Sequence, residues 1–274
     1  VIQALILPLL LLQTPGYTVE RDVVFASVAG ESLKMDVFRP EKPVRQPVPA
    51  VVALHGGAWV GGKRSDMDPI AIELVKQGVL VVASQYRLAP RFKYPAQLDD
   101  AQTAVRYLRA ESRKLGIDGN RIGAVGVSAG AHLALFLGAT DDRKDPFKDH
   151  SSRVKAVVAF AAPTDLSKEY PAALDPIYQM VLGKKKEEAH EEIRKGSPVN
   201  FVDRRSAPAF FLHGTADQVV PFEQLGLIVE RYKEHRIRHE AVAVEGAGHA
   251  VIDKPEGVRA AQRALAWLVE ELKR

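Results

Sequence analysis

Five short, mostly apolar runs constrain this chain more than any other feature: Ala50–Leu54, Val79–Ala83, Ile122–Val127, Val154–Ala161 and Ala209–Leu212. A strand with one wet face alternates apolar and polar residues. The first three do not alternate and read as strands covered on both faces, as in a parallel sheet, and the other two read as further strands. Helical segments stand between them. Pro69–Lys76 is one, with Ser65 or Asp66 as its cap and Gly78 as its stop. Leu98–Leu115 is another, with Ala101, Val105, Leu108 and Leu115 on one face; Ala129–Gly138 and Phe222–His235 follow. Glu240–Val244 reads as a last short strand, and Val258, Ala261, Leu265, Leu268 and Leu272 as the buried stripe of a C-terminal helix. Such alternation implies an α/β fold, a mostly parallel sheet with helices on both faces. Tyr17–Phe25 and Leu33–Phe38 pattern as a hairpin that adds an antiparallel edge, and Glu41–Pro49 is a proline-rich loop.

One domain accounts for residues 17–274. At 46% hydrophobic and 26% charged, the chain has the apolar surface for a sizeable core, which excludes a disordered chain or a coiled-coil rod. Lys and Arg number 38 against 34 Asp and Glu, a net +4 spread without a dense patch, which argues against nucleic acid as a partner. The absence of cysteine removes a disulfide scaffold, a thiolate metal site and a cysteine nucleophile together. Residues 163–208 break the rhythm with no strand pattern. Asp175–Leu182 and Lys184–Lys195 read as helices, the second with a solvated charged face, so the stretch reads as a small helical cap inserted after a strand. Residues 1–16 are apolar; Ala4–Leu12 falls short of the roughly 20 residues a membrane span needs. Its length suits the core of a secretory signal, although a basic Met-led start and an A-x-A site are missing. The expectation is a signal remnant on a secreted or periplasmic protein, the other reading being a packed arm on a cytoplasmic one.

Four places carry chemistry. Gly126-Val127-Ser128-Ala129-Gly130 fits G-x-S-x-G where a buried strand meets a helix, the context a nucleophile elbow needs. Ser128 is the candidate nucleophile. His55-Gly56-Gly57-Ala58-Trp59 follows the strand Ala50–Leu54 and resembles an oxyanion loop, with the backbone N–H groups of Gly56, Gly57 and Ala129 as candidate donors. His55 reads as a brace for that loop. Asp217, beyond the strand Ala209–Leu212, is placed to orient an imidazole; Asp165, Asp203 and Asp253 compete for the role. His249, flanked by Gly248 and Ala250 after the last strand, is the candidate general base. His132 reads as a packing residue, and the His235/His239 pair has no acidic partner for a metal. Trp59 and Tyr178, the latter from the cap, are candidate substrate-binding walls limiting acyl size.

These motifs, with Tyr86-Arg87-Leu88-Ala89-Pro90, resemble α/β-hydrolases of the hormone-sensitive-lipase and BD-FAE-like carboxylesterase group from about Tyr17 to the C-terminus. Ala58 in place of a third loop glycine and the short stretch before the first strand favour the BD-FAE-like branch. The resemblance implies a mostly parallel sheet of eight strands and a Ser128-Asp217-His249 triad. It also implies hydrolysis of short acyl or aryl esters through an acyl-enzyme with no cofactor or metal, acetyl or feruloyl esters of polysaccharide among them. An amide hydrolase on the same frame, formamidase-like or an exopeptidase, stays open, as does the oligomeric state.

Overall fold

The computed structural model describes residues 16–41, 47–144 and 146–274; the apolar segment Ala4–Leu12 and most of the proline-rich loop lie outside them. Strands β1 (Tyr17–Val28) and β2 (Glu31–Pro40) form the antiparallel hairpin. Then come β3 (Val48–Leu54), α1 (Asp68–Val75), β4 (Leu80–Ser84), α2 (Ala96–Ala110), α3 (Ser112–Leu115), β5 (Ile117–Val127) and α4 (Ala129–Ala139). After β6 (Val157–Phe160) the insertion contributes α5 (Asp175–Leu182) and α6 (His190–Lys195), and β7 (Ala209–Gly214), α7 (Glu223–Glu234), β8 (His239–Val244) and α8 (Pro255–Lys273) close the chain. The eight strands form one sheet in the order β1-β2-β4-β3-β5-β6-β7-β8, parallel from β4 onward.

The apolar runs are explained by two cores. Ala50, Val52 and Leu54 of β3 face a layer built with α2, α4 and α7. Val51 and Ala53 face the opposite layer, built with α1 and α8. Side chains alternate across a strand, so a strand serving two cores has no polar position to offer. In β7, Phe211 joins the first core while Phe210 and Leu212 join the second.

Several boundaries differ from expectation. Neither Ser65 nor Asp66 caps α1. Both lie in a 3-10 turn, Arg64–Met67, where the Asp66 carboxylate accepts the Lys63 N–H at 2.9 Å. The 98–115 helix breaks at Glu111 into α2 and α3, and Gly116, at φ 70°, ends the second. β3 begins at Val48, whose N–H donates to the Gly116 carbonyl at 3.1 Å, so Val48 and Pro49 leave the loop. β5 starts five residues earlier than its apolar run, at Ile117. β6 is shorter than expected at both ends: residues 154–156 precede the strand, and Ala161 turns left-handed at φ 50° just after it. In the insertion, the charged helix shortens to α6 behind a 3-10 turn, Lys186–Glu188.

The C-terminal stripe also shifts. Leu265, Leu268 and Leu272 are buried, with Ala264 and Trp267, but Val258 is 41% exposed. The first turn of α8 instead meets the body through Gly257, where a side chain would run into the Val251 carbonyl. Leu268 is fully buried. Leu268→Ala should therefore cost about 2–5 kcal/mol of unfolding free energy, and Val258→Ala less than about 0.5 kcal/mol. Urea denaturation with a shared m value checks both.

Candidate active site

Ser128 joins β5 to α4 with φ 54° and ψ −118°, a backbone region that side-chain-bearing residues avoid. Such a conformation costs on the order of 1–3 kcal/mol and persists only where its surroundings impose it. Here the Ser128 N–H donates to the Phe160 carbonyl of β6 at 2.8 Å, and its own carbonyl accepts the His132 N–H at 3.0 Å. The flanking glycines are required by space. A Cβ at Gly126 would strike the Gly130 backbone, and one at Gly130 would strike the Leu54 carbonyl. The strand-to-helix turn thus lies directly on the end of β3, where the loop His55–Trp59 begins.

That loop reaches the serine closely. A methyl at Gly56 would stand 3.5 Å from Ser128 Cβ. Among the described residues, the N–H groups of Gly56, Gly57 and Ala129 donate to no other protein group. The loop is held from behind. His55 Nδ1 donates to the Gly56 carbonyl at 2.7 Å, and its ring stacks on Tyr86 at 4.2 Å. Tyr86 Oη donates to the His55 carbonyl at 2.8 Å, and the Ala89 N–H to the Trp59 carbonyl at 3.0 Å. Arg87, between them, forks onto the buried Asp100, with Nε and Nη2 each 2.8 Å from a carboxylate oxygen. The Tyr86–Pro90 segment is therefore a buttress for the His55–Trp59 loop.

The loops after β7 and β8 bring the remaining groups together. They approach closely because Gly214 has no side chain; a Cβ there would meet the Ala247 and Gly248 carbonyls. His249 Nδ1 lies 2.8 Å from Asp217 Oδ2, and His249 Nε2 lies 2.9 Å from Ser128 Oγ. An ionised carboxylate only accepts, so Nδ1 carries the proton and Nε2 faces the serine hydroxyl as an acceptor. The His249 side chain keeps 27% of its surface exposed, while that of Asp217 is fully buried.

The competing carboxylates serve elsewhere. Asp253 accepts the Gly248 N–H at 3.0 Å and so shapes the His249 loop. Asp165 caps Ser167, and Asp203 binds Arg205. His132 is buried in α4, donates Nε2–H to the Gly196 carbonyl at 2.7 Å, and is held neutral by burial, its pKa pushed down to about 4. Trp59 and Tyr178 are both buried, their ring centroids 6.4 Å apart. Among the described residues no cluster of three or more His, Asp or Glu is arranged to hold a metal ion. No described helix is long and apolar enough to cross a membrane.

One participant escapes the sequence reading. His213 Nε2 lies 2.9 Å from the Val220 carbonyl and 3.2 Å from Asp217 Oδ2, so one N–H is shared between them. The signal was present in the four-residue spacing of His213 and Asp217, but only the reversal of the chain after β7 turns that spacing into contact. Burial alone would raise the Asp217 pKa. Hydrogen bonds from His213 and His249, and from the Val219 and Val220 N–H groups at 2.8 and 2.9 Å, outweigh burial and hold it well below the usual carboxylate range.

A mostly parallel eight-stranded sheet, with its Ser, His and Asp collected at the carboxyl ends of β5, β8 and β7, is the α/β-hydrolase fold. Within that class the chain belongs to the BD-FAE family, whose profile matches residues 35–232. Among solved structures it resembles a truncated carbohydrate esterase from gut microbiota, with a TM-score of 0.82 and 25% identity, covering 95% of this chain and 98% of that one. It also resembles the butyrate-bound Est2 esterase of Thermogutta terrifontis, with a TM-score of 0.77 and 28% identity, covering 94% of each chain. Among curated proteins, Esterase LipC of Mycobacterium tuberculosis is 31% identical over 85% of this chain, and the chain spans 60% of that relative's length.

The lowered Asp217 pKa has a consequence for stability. A depressed carboxyl pKa stabilises the fold above the unfolded value of about 3.9, and that contribution is lost as pH falls toward the lowered value. Asp217→Asn lacks it. The stability gap between wild type and Asp217→Asn should therefore be larger at pH 7 than at pH 3 in urea denaturation; a gap that widens in acid would contradict the assignment.

Proposed function

We propose that this protein is a serine carboxylesterase acting on short-chain acyl or aryl esters through an acyl-enzyme. One observation carries the reading: Ser128 Oγ, His249 and Asp217 form a continuous hydrogen-bonded line beside three uncommitted backbone N–H groups. In this reading Ser128 Oγ attacks the ester carbonyl carbon as His249 Nε2 takes its proton. Asp217 holds the imidazole with its proton on Nδ1 and stabilises the imidazolium that forms. The carbonyl oxygen, now an anion, is received by the Gly56, Gly57 and Ala129 N–H groups. Ala129 opens α4, so the helix N-terminus adds its partial positive charge. Collapse expels the alcohol, which takes the proton back from His249. Water, deprotonated by the same imidazole, then releases the acid and restores the serine.

The short-acyl preference is supported by the insertion. Tyr178 of α5 packs toward Trp59 of the oxyanion loop, with ring centroids 6.4 Å apart, and Tyr170 packs on Tyr178 at 5.2 Å; in this reading the close-packed rings leave little room for a long chain on the Trp59 side of the loop. The resemblance to an esterase captured with butyrate agrees with this preference. The resemblance to a carbohydrate esterase favours esters carried on carbohydrate; in this reading they are acetyl or feruloyl groups on polysaccharide.

Ser128→Ala should fold normally and lose on the order of 10⁴–10⁶-fold in kcat. A purified variant keeping a tenth of wild-type turnover rules out this nucleophile. On p-nitrophenyl esters, kcat/KM should peak between acetyl and butyryl; a maximum at ten or twelve carbons would mean an open, lipase-like pocket. Gly57 sits at φ 113° and a Cβ there would strike the Gly61 backbone, so Gly57→Ala must displace the loop. It should lower kcat by roughly 10²–10³-fold, as loss of one oxyanion donor does, with KM nearly constant. An effect confined to KM would make the loop a binding surface.

A further inference from the structure

The oxyanion loop has positive φ at three successive residues, Gly57 at 113°, Ala58 at 52° and Trp59 at 61°. Only the first is glycine. An L-residue avoids this region because its Cβ crowds the backbone carbonyls, so two in succession need support from outside. Main-chain bonds give part of it. The Val60 and Gly61 N–H groups both donate to the Gly57 carbonyl, at 3.0 and 2.9 Å, and Ala89 holds the Trp59 carbonyl. The Trp59 side chain is also fixed: its ring meets His132 edge to face with centroids 4.9 Å apart and planes at 78°.

His132 is placed to brace it. It stands one turn along α4 from Ser128, and its backbone N–H donates to the Ser128 carbonyl. Its Nε2–H is spent on the carbonyl of Gly196, at the end of α6 in the insertion. Phe136 packs on the same imidazole at 5.1 Å and fixes its orientation. A single buried ring therefore touches the nucleophile helix, the oxyanion loop and the insertion.

We propose that His132 is a positioning residue for the oxyanion hole: anchored on Gly196, its ring braces Trp59 and so keeps the strained Gly57–Trp59 backbone aimed at the oxygen above Ser128. The proposal rests on the esterase reading, in which the Gly57 N–H serves the oxyanion. His132 does not touch the reacting atoms. Its effect is transmitted as loop position, and a displacement of about 1 Å in a catalytic group costs on the order of a hundredfold in rate.

The test combines ester kinetics with inhibition by an alkyl trifluoromethyl ketone. Ser128 Oγ adds to the ketone carbon, the carbonyl π pair moves to oxygen as an oxyanion, and the hydroxyl proton passes to His249. The adduct thus reads the oxyanion donors, and its inhibition constant, unlike kcat, does not depend on the fraction of enzyme folded. His132→Ala should lower kcat on p-nitrophenyl butyrate by roughly ten- to a hundredfold and weaken the ketone by a similar factor, with KM nearly unchanged. Trp59→Leu should do the same, and the double variant should lose little more than either single one, because both act by one route. Unchanged ketone affinity in His132→Ala, or losses that multiply in the double variant, would overturn the proposal. If His132→Ala does not fold, Trp59→Leu decides: a matched loss of kcat and ketone affinity supports the brace, and unchanged ketone affinity overturns it. Ser128→Ala separates the two levels. An active Ser128→Ala defeats the esterase reading itself, while an inactive one beside unchanged ketone affinity in His132→Ala defeats only the brace.

Discussion

The left-handed backbone of Ser128 is the constraint on which the rest of the site depends. A serine does not adopt φ 54° on its own account. It is held there by the Phe160 carbonyl on one side, and it is reachable only because Gly126 and Gly130 leave no side chain between β5, α4 and the end of β3. Three central strands and one helix are fixed to one another at this point. The loop His55–Trp59 leaves β3 there, so whatever holds the serine also sets the distance to the loop's N–H groups.

Asp217 is the electrostatic counterpart of that constraint. Its buried carboxylate receives an imidazole N–H from His249, a share of one from His213, and two backbone N–H groups. Four donors on one carboxylate keep it ionised where burial would otherwise favour the neutral acid. An ionised Asp217 in turn fixes the tautomer of His249, and that tautomer turns Nε2 toward Ser128. The proton arrangement the proposed chemistry needs is thus set in advance by groups that take no part in bond making.

The His55–Trp59 loop is packed from two directions. Behind it, Tyr86 and Ala89 hold the His55 and Trp59 carbonyls, with Arg87 locked to Asp100 between them. Beside it stand His132 and, through Tyr178, the insertion. Through this second set of contacts the insertion and the loop share one patch of aromatic packing.

Much of this was legible in the chain. Each of the five apolar runs contains most or all of the buried core of a strand covered on both faces, because a strand between two cores has no solvent position to mark. The G-V-S-A-G turn, the Gly56-Gly57 pair, and Asp217 and His249 could be picked out because strand ends, glycines and chain order are local properties. What no local pattern carried was proximity. His213 looks like the end of a strand until the chain reverses and brings it to Asp217. Asp165, Asp203 and Asp253 were rivals to Asp217 until their N–H partners were visible. Val258 matched the helical stripe, yet Gly257 lets that turn dock by its backbone and leaves Val258 in water. The sequence by itself determined which segments would be buried and which residue types could do chemistry, since burial and backbone freedom are properties of individual side chains. Only the folded chain brings each imidazole to its carboxylate and packs each ring on its loop, because those contacts join residues from 4 to 121 positions apart and exist only once the sheet has fixed the order of its strands.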